Sequence, residues 1–163
     1  MSRALFDLES LLQQLIVEHR KLLRHLDAQQ AAMKSFALDA MDAAANQQEA
    51  SRLRIARLEN QRRTIVQQIA KQHRAAGELS LSQIAQLYPD KSASLQQLRD
   101  ELKRAIQQVQ SRSHVAGRVA GAVLGHLNAV VRLLAGTVER AGVYTKAGVP
   151  RVSSRIGMME AVG

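Results

Sequence analysis

The feature that most restricts the fold is a run of large aliphatic residues spaced alternately three and four apart. Leu5, Leu8, Leu12, Leu15, His19, Leu22 and Leu26 hold this rhythm near the N-terminus. A 3.5-residue repeat keeps one seam of a helix turned toward a partner. Leu11, Ile16 and Leu23 widen the seam beyond what a two-stranded coil needs, so this helix, expected over residues 4–33, packs against at least two others.

The pattern returns twice. A second helix is expected over 36–76, with Ser35 as its cap and Asp39 in its first turn, where a negative charge suits the helix dipole. Its seam reads Leu38, Met41, Ala45, Gln48, Ile55, Leu58, Ile65 and Ile69, thin and polar in the middle. Ser80 and Gln83 form an S-x-x-Q capping box, which predicts a short helix over 81–87 that Pro89 stops. A last helix, over 92–139, carries Leu95, Leu98, Leu102, Ala105 or Ile106, and Val109, and its phase continues through Ala116, Val119, Val123, Val130 and Leu133 or Leu134. The residues after 140, with Pro150 and several glycines, read as a flexible tail.

Composition points the same way. Phe6, Phe36, Tyr88 and Tyr144 are the only aromatic residues among 163. A core of Leu, Ile, Val and Ala suits interdigitating helices better than sheets, which favour aromatic and β-branched residues. The fold class expected is all-α: an elongated antiparallel bundle of three long helices plus one short one. One domain is expected over 1–140, with the tail over 141–163. The absence of cysteine excludes disulfides and thiolate metal sites, and with Asp7 and Glu9 in the first residues no secretory signal is expected there.

Residues 115–136 are nearly all apolar and carry Gly117, Gly121 and Gly125 at a spacing of four. Because the run keeps the phase of the helix before it, it continues that helix. Arg118 and Arg132 flank its uncharged centre and His126 lies inside it; an arginine near a bilayer centre costs roughly 2.5–3.5 kcal/mol, so no membrane span is expected. Each interior glycine costs a helix about 1 kcal/mol relative to alanine. The glycines either let a helix of the same chain approach closely or open a groove for a partner helix. In the second case Val119, Val123, Leu127, Val130 and Leu134 supply the anchors.

No catalytic constellation appears. His19, His25, His73, His114 and His126 form neither an H-x-x-x-H nor an H-E-x-x-H motif, and no E-x-x-H pair suggests a di-iron bundle. No enzymatic activity, cofactor, metal or small-molecule substrate is expected. The net charge of +9 makes nucleic acid the competing partner. However, Arg52, Arg54, Arg57, Arg62 and Arg63 surround their helix instead of lining one face, and aromatic residues for base stacking are missing. The alternatives to a partner-binding bundle are a basic nucleic-acid-associated helical protein and a structural coiled coil.

The order of parts resembles the FlgN-type flagellar export chaperones. The resemblance is carried by "LLQQLIVEHRKLLRHLDAQQAAMKSFALDAMDA", by "RLENQRRTIVQQIA", by the last helix, and by "AGVYTKAGVPRV" with Tyr144 a few residues before Gly148. It implies a cytoplasmic chaperone without enzymatic activity, which binds the disordered terminal segments of hook-associated proteins and delivers them to the flagellar type III export gate. It also implies that client binding lies toward the C-terminal part and that Tyr144 contacts the gate. Such chaperones tend to be acidic, whereas this chain is basic; acidic client segments and salt-sensitive binding follow as the expectation.

Overall fold

The computed structural model describes residues 3–142, and the side chains of 3–135. Four α-helices follow one another: α1 (Arg3–Lys34), α2 (Leu38–Gln72), α3 (Leu81–Leu87) and α4 (Ser92–Gly142), with a 3-10 turn at Pro89–Lys91 before α4. The described residues contain no strand, and the fold is the expected all-α helical bundle. Packing divides the chain into two units, Met1–Ala120 and Gly121–Gly163.

In the first unit α2 runs antiparallel to both α1 and the start of α4. Gln48 Nε2 donates to Gln29 Oε1 (2.8 Å) and to the His25 carbonyl (3.3 Å), and the Arg54 guanidinium lies 3.8 Å from Glu18. Between α1 and α4 the pairings rise together along both chains: Lys91 with Glu9 (3.2 Å), Arg20 with Glu101, and Arg112 with Asp27 (3.4 Å). Exposed ion pairs add little stability, but they fix which residues face each other.

The core joins the first half of α1, the second half of α2, α3 and the start of α4. Leu8, Leu12, Leu15, Ile69, Ile84 and Leu95 are fully buried there. The seam residues read from α1 are buried except Leu23, which is half-buried; His19 is among the buried ones, and its Nδ1 donates to the Leu15 carbonyl at 2.8 Å. α3 matches its expected limits, and both bonds of the Ser80–Gln83 capping box form. That box satisfies two backbone donors that a seven-residue helix would otherwise leave open.

The second helix differs from expectation at its start and in its middle. Ser35 does not cap it: its hydroxyl donates back to the Ala31 and Ala32 carbonyls of α1, and the N-cap is Ala37, without a side-chain bond. α1 instead closes in a Schellman motif. Ala37 N–H donates to the Ala32 carbonyl and Phe36 N–H to Met33, with Phe36 at φ 54°. α2 ends the same way at Arg74, φ 53°, which is why it stops at Gln72 and short of residue 76. Along the middle of α2, Ala44, Gln48 and Ser51 are buried, whereas Ala45 and Leu38 are exposed. The Ser51 hydroxyl makes no hydrogen bond, so this level of the bundle is both thin and polar.

Candidate partner-binding face on α4

Leu95, Leu98, Leu102, Ala105 and Ala116 of α4 are buried. At 100° per residue they occupy one sector of the helix about 80° wide. The same residue phase continues past Ala116 through Val123, Leu127, Val130 and Leu134, but burial does not. Leu124 is 61% exposed, Leu127 45%, Val130 37%, Val131 62% and Leu134 61%. Val119 and Val123 are half-buried. The apolar face is thus buried as far as Ala116, half-buried at Val119 and Val123, and largely exposed from Leu124 to Val131.

All five expected anchors share this face. Val119, Val123, Leu127, Val130 and Leu134 fall within an arc of about 80°, and Leu124 and Val131 extend it on one flank. The glycines do not join them. Gly117, Gly121 and Gly125 lie roughly 160–240° round from Val119, together with Asn128 and Arg132. A Cβ built at any of the three would meet no atom within 4 Å, so among the described residues no helix of this chain exploits their smallness. They form the thin back of the helix, and the anchors form its front. Leu124 (61% exposed) and Val131 (62%) were not singled out from sequence, although their spacing was available, whereas Leu133, named as the alternative to Leu134, is 71% exposed. Tyr144 lies outside the described residues.

The stretch Pro89–Ala135 is long and apolar enough, by length and composition, to cross a membrane, and the apolar window in it is unburied. Its two faces differ, however. Arg132, Asn128 and two glycines oppose the Val–Leu face, the pattern of a helix that covers one partner, whereas a bilayer favours apolar residues all round.

Nothing in the rest of the described surface competes as chemistry. No group of three or more His, Cys, Asp or Glu side chains there is placed to hold a metal. A groove of about 550 Å³ between α1 and α2 is lined by Val17, Glu18, Lys21, Arg54, Arg57 and Leu58 among others. Lys21 Nζ donates to Glu18 at 2.6 Å, so part of its positive charge is already neutralised. Arg62 pairs with Glu59 at 2.9 Å, and Arg52, Arg54, Arg57 and Arg63 are exposed without forming a stripe on α2.

A family model described as FlgN protein matches residues 1–151. The chain belongs to the FlgN family. Members of this family are flagellar export chaperones, not enzymes, so its partners are flagellar proteins. The family match takes in the whole of α4, including the exposed face. No curated protein and no solved structure matches the chain.

Proposed function

We propose that the chain is a cytoplasmic chaperone that binds the disordered terminal segments of hook-associated, hook–filament junction proteins and delivers them to the type III export gate. The observation that carries this reading is the apolar face of α4 over 119–134, largely exposed in a family whose members act by holding other flagellar proteins. A client segment lies along Val119, Val123, Leu127, Val130 and Leu134 as an amphipathic helix, its own apolar side chains at i, i+3/i+4 and i+7 meeting these anchors. Ordering a disordered segment costs free energy on binding, which keeps the affinity moderate and lets the gate take the client by competition. Tyr144 makes the gate contact. Gly117, Gly121 and Gly125, which the sequence joined to the same groove, support it from behind as a slender helix back.

The net charge of +9 favours clients with acidic terminal segments. Calorimetry with synthetic C-terminal segments of hook-associated proteins from the same genome, at two salt concentrations, tests the reading. One-to-one binding that weakens with salt is expected. No heat with any segment, together with binding to arbitrary duplex DNA, would move the function to nucleic acid.

A further inference from the structure

The groove between α1 and α2 takes no part in the α4 face, and we propose that it docks an acidic amphipathic helix of a second protein. It lies wholly within the Met1–Ala120 unit and shares no residue with positions 119–134, so this docking does not depend on where the client lies. Residues 10–21 of α1 and 54–61 of α2 span it. At 1.5 Å per residue the α1 side is about 16 Å long, three turns, which suits a short helix laid along it. Val17, 48% exposed, and half-buried Leu58 supply the apolar part of the lining. Phe6 falls on the same stripe of α1 three turns before Val17 and is 65% exposed. Apolar side chains set at whole turns along an open groove fit the one apolar face of an amphipathic helix.

Charge decides what the other face of that helix carries. Lys21, Arg54 and Arg57 line the groove against a single carboxylate, Glu18. That carboxylate is already committed: its side chain is 10% exposed and accepts from Lys21 Nζ at 2.6 Å. Arg54 Nη1 stands 3.8 Å from Glu18 Oε2, close enough to be held by charge but beyond hydrogen-bond reach. Oε2 therefore stays buried without a donor, and the guanidinium keeps its N–H groups for another acceptor. Arg57 makes no hydrogen bond or ion pair among the described residues and is exposed. Two arginines with unspent donors beside apolar surface are suited to bidentate bonds from carboxylates, and the surplus of cations repels a basic partner. A nucleic-acid backbone would call for a longer stripe of cations and for aromatic groups under its bases; here the rest of the lining includes the amides Gln13, Gln14 and Gln61.

The test is fluorescence anisotropy of a labelled four-turn peptide of Glu, Ala and Leu, its leucines on one helix face, titrated with the full chain. Saturable binding that weakens with salt is expected. Arg54→Gln together with Arg57→Gln should weaken it about tenfold, the worth of two exposed charge pairs. Arg57→Gln alone, which leaves Glu18 its partner, should give a several-fold loss and keeps the test if the double variant does not fold. Lys103→Gln with Arg104→Gln removes the same charge from exposed positions of α4 and should leave the affinity unchanged, as should Val123→Asn with Leu127→Asn. No saturable binding would overturn the proposal. So would equal weakening by the two charge removals, or equal binding of the same residues in scrambled order, since either would show attraction to overall charge alone. Loss of binding in the Val123→Asn/Leu127→Asn protein would move the acidic helix to the α4 face. Tighter binding of short duplex DNA, weakened by the Arg54 and Arg57 changes, would assign the groove to nucleic acid instead.

Discussion

Placing aspartate at both Val123 and Leu127 should separate a binding face from a folding core. Neither side chain is buried, Leu127 being 45% exposed. The folding cost is therefore limited to helix propensity and minor contacts, about 1 kcal/mol for the pair. Trimming fully buried Leu12 to alanine should instead cost about 2–5 kcal/mol. Binding responds in the opposite proportion. Each lost aliphatic contact removes roughly half the 1.5–3 kcal/mol of complete burial, and each carboxylate forced against the client adds at least about 1 kcal/mol of desolvation. The sum is at least about 3.5 kcal/mol, a few hundredfold in Kd. Urea unfolding followed by circular dichroism gives the first quantity and calorimetry with a client segment the second. A Val123→Asn/Leu127→Asn pair, which adds no charge, should also bind weakly and so separates lost apolar contact from repulsion of an acidic client. Unfolding of the double-aspartate protein in the absence of denaturant would show that the face is core, and unaltered binding would show that the client sits elsewhere.

Three further outcomes are expected. Gly121→Ala and Gly125→Ala meet open space, so each should stabilise α4 by about 1 kcal/mol without changing client affinity; weakened binding in calorimetry would place the glycine side inside the site. Arg74→Gly relieves a side chain held at positive φ on an exposed Schellman residue and should raise the urea-unfolding free energy by about 0.5–1 kcal/mol, against a left-handed penalty of roughly 1–2 kcal/mol for non-glycine residues. Tyr144→Ala should leave the calorimetric client affinity unchanged while export of the client into the medium falls; an affinity loss would assign the tyrosine to client binding.

Much of the fold was legible because its signals are local or strongly periodic. α3 and its capping box depend on four adjacent residue types and came out to the residue. The α1 seam could be read because leucine alternates with charged and amide side chains. The middle of α2 could not, since Ala43, Ala44 and Ala45 offer no difference in size or polarity by which to choose the inward one, and tertiary packing turned Ala44 inward. The turn after α1 was misread for a related reason. Glycine normally marks a Schellman end, and a phenylalanine there gives no sign of one, whereas Ser35 presented a cap signal that its hydroxyl spends on α1. For the candidate site, sequence supplied the stripe but not its exposure. Leu98 and Leu127 have similar phase and the same side chain, and only the fold reveals that one is covered and the other is open. The glycines were drawn into the groove by their spacing of four, although turning the helix through 100° per residue puts them behind it.

The central claim, that clients lie on the open face of α4, is tested most directly by amide hydrogen exchange of the whole chain with and without a hook-associated C-terminal segment. The account predicts new protection over residues 119–135, with the backbone amides of α1 and the second half of α2 unchanged. Protection concentrated along the groove between α1 and α2, at Val17, Lys21, Arg54 and Arg57, with 119–135 still exchanging freely, would contradict it.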